Sequence, residues 1–207
     1  MPRILQGYSG FTMIELIMAS LFAMMIMATL YGFFRQQLFA LLTQETRTAN
    51  LEDSRGALEI MIRELRNAGA FPATTDGTCT KDVQNAPLRV VAASAGSIQI
   101  QSDLDGNGTC DDTGENVTFS YSPTATSACP GENIKRSGQC LVANAVRPTG
   151  KLFTYYDNSG TLLPDTPTNP ADIKRVKITF GVEVKNPDPS VGGNLSTAFS
   201  SSVEFRN

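Results

Sequence analysis

The longest hydropathy pattern in the chain is an apolar run at residues 11–34, about 24 residues in which Glu15 is the only side chain charged at neutral pH. Roughly 20 such residues suffice to cross bilayer hydrocarbon as a helix, so the run predicts a single membrane span. Beyond it the pattern turns amphipathic. Leu38, Leu41, Leu42, Leu51, Leu58, Met61, Ile62 and Leu65 recur at helical spacing, with charged and amide residues between them. Proline is absent from residues 11–71, and Gly69 followed by Pro72 supplies a stop. The spacing therefore predicts one helix over residues 11–68, roughly 87 Å long at 1.5 Å per residue. Its first part would lie in lipid, and its apolar stripe from residue 35 to 69 would lie against a globular head. Gly32 interrupts the apolar part at a cost of about 1 kcal/mol relative to Ala, as either a flexible point or a packing contact.

From residue 70 onward the period changes from 3.6 to 2. Strands are expected at residues 88–92, 97–101, 116–122, 140–145, 152–156, 176–185 and 198–206. The clearest alternation sets Val176, Ile178, Phe180, Val182 and Val184 on one face, with Lys177, Thr179, Glu183 and Lys185 on the other. The fold class is α+β, a long N-terminal helix on a mainly antiparallel β head. The head, residues 70–207, is long enough for one domain once the helix closes its core.

Composition narrows the functions. The formal net charge is −3, which does not suggest a nucleic-acid binder, and the chain holds no His and no Trp. The commonest metal ligand and general base are thus missing, and no nucleophile–base spacing, phosphate loop or acid pair stands out. An enzyme is the least supported class. Four cysteines, Cys79, Cys110, Cys129 and Cys140, all follow the apolar run. An even count in an exported domain reads as two disulfides, for which three connectivities exist. A bridge from Cys110 to Cys79 would pin a loop to the region after the helix, and Cys129 with Cys140 would close residues 130–139.

That loop carries candidate chemistry. Asp103, Asp105 and Asn107 stand at the first, third and fifth positions of a calcium-loop pattern, with Gly108 at the sixth. The standard closing position falls on Gly114, but Thr109, Asp112 and Glu115 offer further oxygens. Hard oxygen donors without nitrogen favour Ca2+ over a transition metal. The plainer reading is a polar hairpin loop, since Asn107-Gly108 is a strong turn signal.

A carboxylate at residue 15 needs a reason, because a charge in the hydrocarbon centre costs about 2.5–3.5 kcal/mol on insertion scales. The stretch Gly10-Phe11-Thr12-Met13-Ile14-Glu15 resembles the processing site of type IV pilins and type II secretion pseudopilins. The resemblance implies a leader at residues 1–10, cleavage between Gly10 and Phe11 by a prepilin peptidase, methylation of the new amine on Phe11, and Glu15 as the assembly carboxylate pairing with a neighbour's Phe11 amine. It also implies a protein held once in the inner membrane, its head periplasmic and later on a pilus. Leaders of the family are usually richer in Lys and Arg, whereas residues 1–10 offer only Arg3. The ending Arg63-Glu64-Leu65-Arg66-Asn67-Ala68-Gly69 and a terminal strand are similar to the larger minor pilins of the PilW type and to the J-type pseudopilins. Three functions follow as expectations: a minor pilin, a secretion pseudopilin, or a monomeric membrane-anchored calcium-binding domain. The run is too long for a secretory signal core, and no A-x-A-like cleavage site follows it.

Overall fold

A computed structural model describes residues 10–71, 78–188 and 192–205. The leader, apart from Gly10, lies outside the described residues. Helix α1 (Met13–Asn67) runs without a break, capped at Thr12 and ended by Ala68, whose N–H donates to the Glu64 carbonyl. Gly69 takes φ of 85°, and a Cβ there would stand 2.9 Å from Arg89 Cβ. Only glycine fits this left-handed stop without strain.

Among the described residues the head has two antiparallel sheets, as expected for an α+β chain with a pilin-like arrangement. The first has strands β1 (Val90–Ala93), β2 (Ser97–Gln101), β3 (Asn116–Ser122), β4 (Asn133–Arg136) and β5 (Gln139–Val142), paired in chain order. In the second, β8 (Arg175–Lys185) pairs over its full length with β9 (Asn194–Glu204) on one side. On its other side lie β6 (Ala145–Val146) and β7 (Phe153–Tyr156). The predicted alternation holds on β8, where Val176, Ile178, Phe180 and Val182 are buried. Gly181 falls between two of them, and a Cβ on it would meet Val146 Cγ2 at 2.9 Å and the Thr197 carbonyl at 3.1 Å. The small residue thus lets β6 and β9 flank β8 closely.

Ile98, Phe119, Ile134, Phe153, Tyr155, Ile178 and Phe180 form one core with Met61 and Leu65 of α1. Tyr155 donates its hydroxyl to the Ser94 and Ser97 carbonyls, and burial pushes its pKa up from the ordinary tyrosine value. Glu64 and Arg136 form a bidentate ion pair that ties the end of α1 to β4. Among the described residues the disulfides are Cys79–Cys110 and Cys129–Cys140. The first anchors the segment after the helix, and the second staples the hairpin of β4 and β5 to the loop before it.

Three expectations need correction. The span 140–145 is not one strand: Asn144 adopts φ of 53° and splits it into β5 and β6. Strand β4 escaped the pattern because Asn133-Ile134-Lys135-Arg136 carries a single apolar residue. The helix stripe is also shorter than expected. Ser54, Ala57, Met61 and Leu65 are buried, and Leu58 and Ile62 pack at the core's margin. Leu38, Leu41 and Leu42 remain 56%, 62% and 38% exposed. They precede the point where the head begins, so helical periodicity gives them nothing to face.

Candidate functional site

Two places carry candidate chemistry. The first is the start of α1. Thr12 Oγ1 accepts from the Glu15 N–H at 3.4 Å, and Glu15 Oε2 accepts from the Thr12 N–H at 2.9 Å and from the Thr12 hydroxyl at 2.8 Å. This is a capping box, which satisfies two backbone donors that a helix start would otherwise leave open. Its signal, Thr-x-x-Glu at residues 12–15, is legible in the sequence and was missed there. The carboxylate also lies where the helix dipole favours negative charge. Gly10 and Phe11 precede the helix in non-helical, exposed backbone. Gly10-Phe11, where the sequence leads one to expect cleavage, and the Glu15 carboxylate are thus close in the chain and exposed.

From Met13 to Leu42 every side chain but that of Phe39 is exposed. None of the most apolar 18-residue window of the helix is buried. This length and composition are compatible with a single membrane anchor.

The second place is the loop joining β2 to β3. Antiparallel register opposes Gln101 to Asn116, and the next pair closes with the Ser102 N–H donating to the Glu115 carbonyl at 2.8 Å. The ladder therefore brings Asp103 beside Glu115, although Glu115 lies one residue past the standard closing position. Asp103, Asp105 and Glu115 each present a carboxylate oxygen within 4.8 Å of the others. Asp103 and Glu115 are buried, whereas Asp105 is exposed. Backbone amides hold the two buried carboxylates: Gly106 and Gly108 donate to Asp103, and Leu104 and Asp112 donate to Glu115.

The other predicted ligands, Asn107, Thr109 and Asp112, are bonded to one another and, through Asn107, to Asp105. Asn107 turns its amide nitrogen toward Asp105 and Asp112, at 3.0 and 2.8 Å, and the Thr109 hydroxyl donates to Asn107 Oδ1. These three form the loop's outer rim. Gathering three carboxylates brings like charges together, a cost that a divalent cation would remove. Three carboxylates are half or fewer of the six to eight oxygens that calcium takes, so backbone carbonyls and water would have to supply the rest.

The loop is tied to the helix end. Asp103 N–H donates to the Ala70 carbonyl at 2.8 Å, Gly69 N–H donates to the Gln101 carbonyl at 3.0 Å, and Cys110 is bridged to Cys79. The buried Gln101 side chain bonds both backbone groups of Thr80. Comparison with known protein families, with characterised proteins and with solved structures finds no match to this chain.

Proposed function

We propose that the chain is a minor type IV pilin, a structural subunit that is cleaved after Gly10 and enters a filament through its N-terminal helix and Glu15. The observation that carries this reading is the length of exposed apolar helix. The exposed helix from Met13 to Leu42 is about 45 Å long at 1.5 Å per residue, whereas bilayer hydrocarbon is about 30 Å thick. Its unbroken apolar run ends at Phe34, Arg35-Gln36-Gln37 follow, and Leu38, Leu41 and Leu42 are exposed beyond them. A lone membrane anchor would leave Leu38, Leu41 and Leu42 in water. Covering each fully would recover about 1.5–3 kcal/mol, and neighbouring helices in a filament would cover them. This weighs against the monomeric anchor.

In the filament, a neighbour's Phe11 amine would replace the Thr12 donors at Glu15. Each buried charge would then compensate the other. Other pilins and the prepilin peptidase are the implied partners. A J-type pseudopilin of type II secretion would use the same contacts, so the two readings differ in company rather than chemistry. The chain should co-purify in small amounts with filaments sheared from the cell surface and crosslink to pilins. Crosslinks to secretion subunits alone would select the pseudopilin, and absence from both assemblies would retire the filament reading.

The loop of Asp103, Asp105 and Glu115 is proposed to bind Ca2+, steadying the head where it meets the helix. A site with a Kd a hundredfold below the free calcium concentration adds about 2.7 kcal/mol of stability. For a chain of this size that raises the melting midpoint by roughly 5–10 °C. The rise should disappear in the Asp103→Ala, Asp105→Ala double variant. A parent protein whose midpoint ignores calcium would remove the ion from the account.

A further inference from the structure

The outer face of the second sheet carries a cationic depression of about 320 Å3 lined by Tyr156, Arg175, Lys177, Ser200, Ser201 and Ser202. Strand register assembles it: Tyr156 opposes Arg175 across β7 and β8, and Lys177 opposes Ser202 across β8 and β9. Arg175 and Lys177 are two residues apart on one strand face, about 7 Å along it, so both can reach a single anion. The Arg175 guanidinium stacks 4.5 Å over the Tyr156 ring, which limits its rotamer freedom. Neither cation has a carboxylate within 4.0 Å among the described residues, although Glu204 stands opposite Arg175 across the strand pair. Register sets Ser202 and Ser200 on the same outer face as Arg175 and Lys177, so two cations and two hydroxyls stand together with Glu204 at their edge, in a chain of formal net charge −3.

We infer that this depression binds a phosphate group. Guanidinium donates two parallel hydrogen bonds to an oxyanion, ammonium adds a point charge, and the serine hydroxyls supply short neutral donors. The volume admits the group together with water or with its neighbours in a chain. This inference stands apart from the filament reading, because it concerns the opposite end of the molecule from the apolar helix.

The test uses the 15N-labelled full chain in dodecylmaltoside micelles, which contain no phosphate, without calcium. Titration with inorganic phosphate should produce saturable amide shifts confined to Tyr156, residues 175–177 and residues 200–202. Arg175→Gln with Lys177→Gln should weaken binding by about tenfold or more. Lys177→Gln alone, an exposed change that the strand tolerates, should weaken it by about threefold, and Lys135→Gln on the other sheet should leave it unchanged. Absence of saturable shifts, or shifts of equal affinity in the Lys177→Gln variant, would overturn the assignment. A short thymidine oligonucleotide that displaces phosphate at lower concentration assigns the group to a phosphodiester polymer, whereas an oligonucleotide that binds no tighter assigns it to the free ion.

Discussion

Glu15→Ala is expected to remove the chain from sheared filaments by about a hundredfold or more, while membrane insertion and the melting of the head stay as in the parent. The magnitude follows from leaving a buried amine without its carboxylate, a loss of about 3–5 kcal/mol, or roughly two to three and a half decades in an equilibrium. The head should be indifferent because the first buried side chain of α1 is Ser54, about 58 Å along the helix from Glu15. Alanine also removes the capping box, which by itself costs about 0.5–2 kcal/mol. Glu15→Gln separates the two roles, since glutamine still accepts the Thr12 N–H but carries no charge. Both variants should be missing from filaments. Normal incorporation of the glutamine variant would leave Glu15 with a helix-capping role alone.

Leu65→Ala should act at the other end and in the opposite manner. Leu65 is fully buried among core residues of the head, so truncation costs about 2–5 kcal/mol. The melting midpoint, followed by near-ultraviolet circular dichroism in micelles, should fall by roughly 5–15 °C. Leu41→Ala, on the same predicted stripe but 62% exposed, should leave the midpoint unchanged. Equal midpoints for the parent and Leu65→Ala would mean that the helix is not docked on the head.

The contrast between those two leucines marks how far the sequence could be read. Periodicity and the Gly69 stop gave the helix nearly to its ends, because propensity, the absence of proline and the end signal agree over its whole length. It did not reveal where the head begins along that helix, since docking depends on strands far away in the chain. The alternation on β8 was equally legible, because one of its faces is buried. Strand β4 was not, since its Lys135 and Arg136 are held by cross-strand pairing and by Glu64 rather than by apolar burial.

At the calcium-like loop the residue types were readable, but their convergence was not. Which carboxylates meet is decided by the β2–β3 register, which brings Glu115 beside Asp103. The cationic depression left no trace in composition or motif, because it is assembled from residues on three strands. For Glu15, the capping partner Thr12 was overlooked, although Thr-x-x-Glu stands in the sequence.

The mass of the amino terminus of the chain recovered from its native membrane tests most directly whether this is a processed filament subunit. The account predicts a chain beginning at Phe11 with one methyl group on its amine, whereas an intact chain that still begins at Met1 would contradict it.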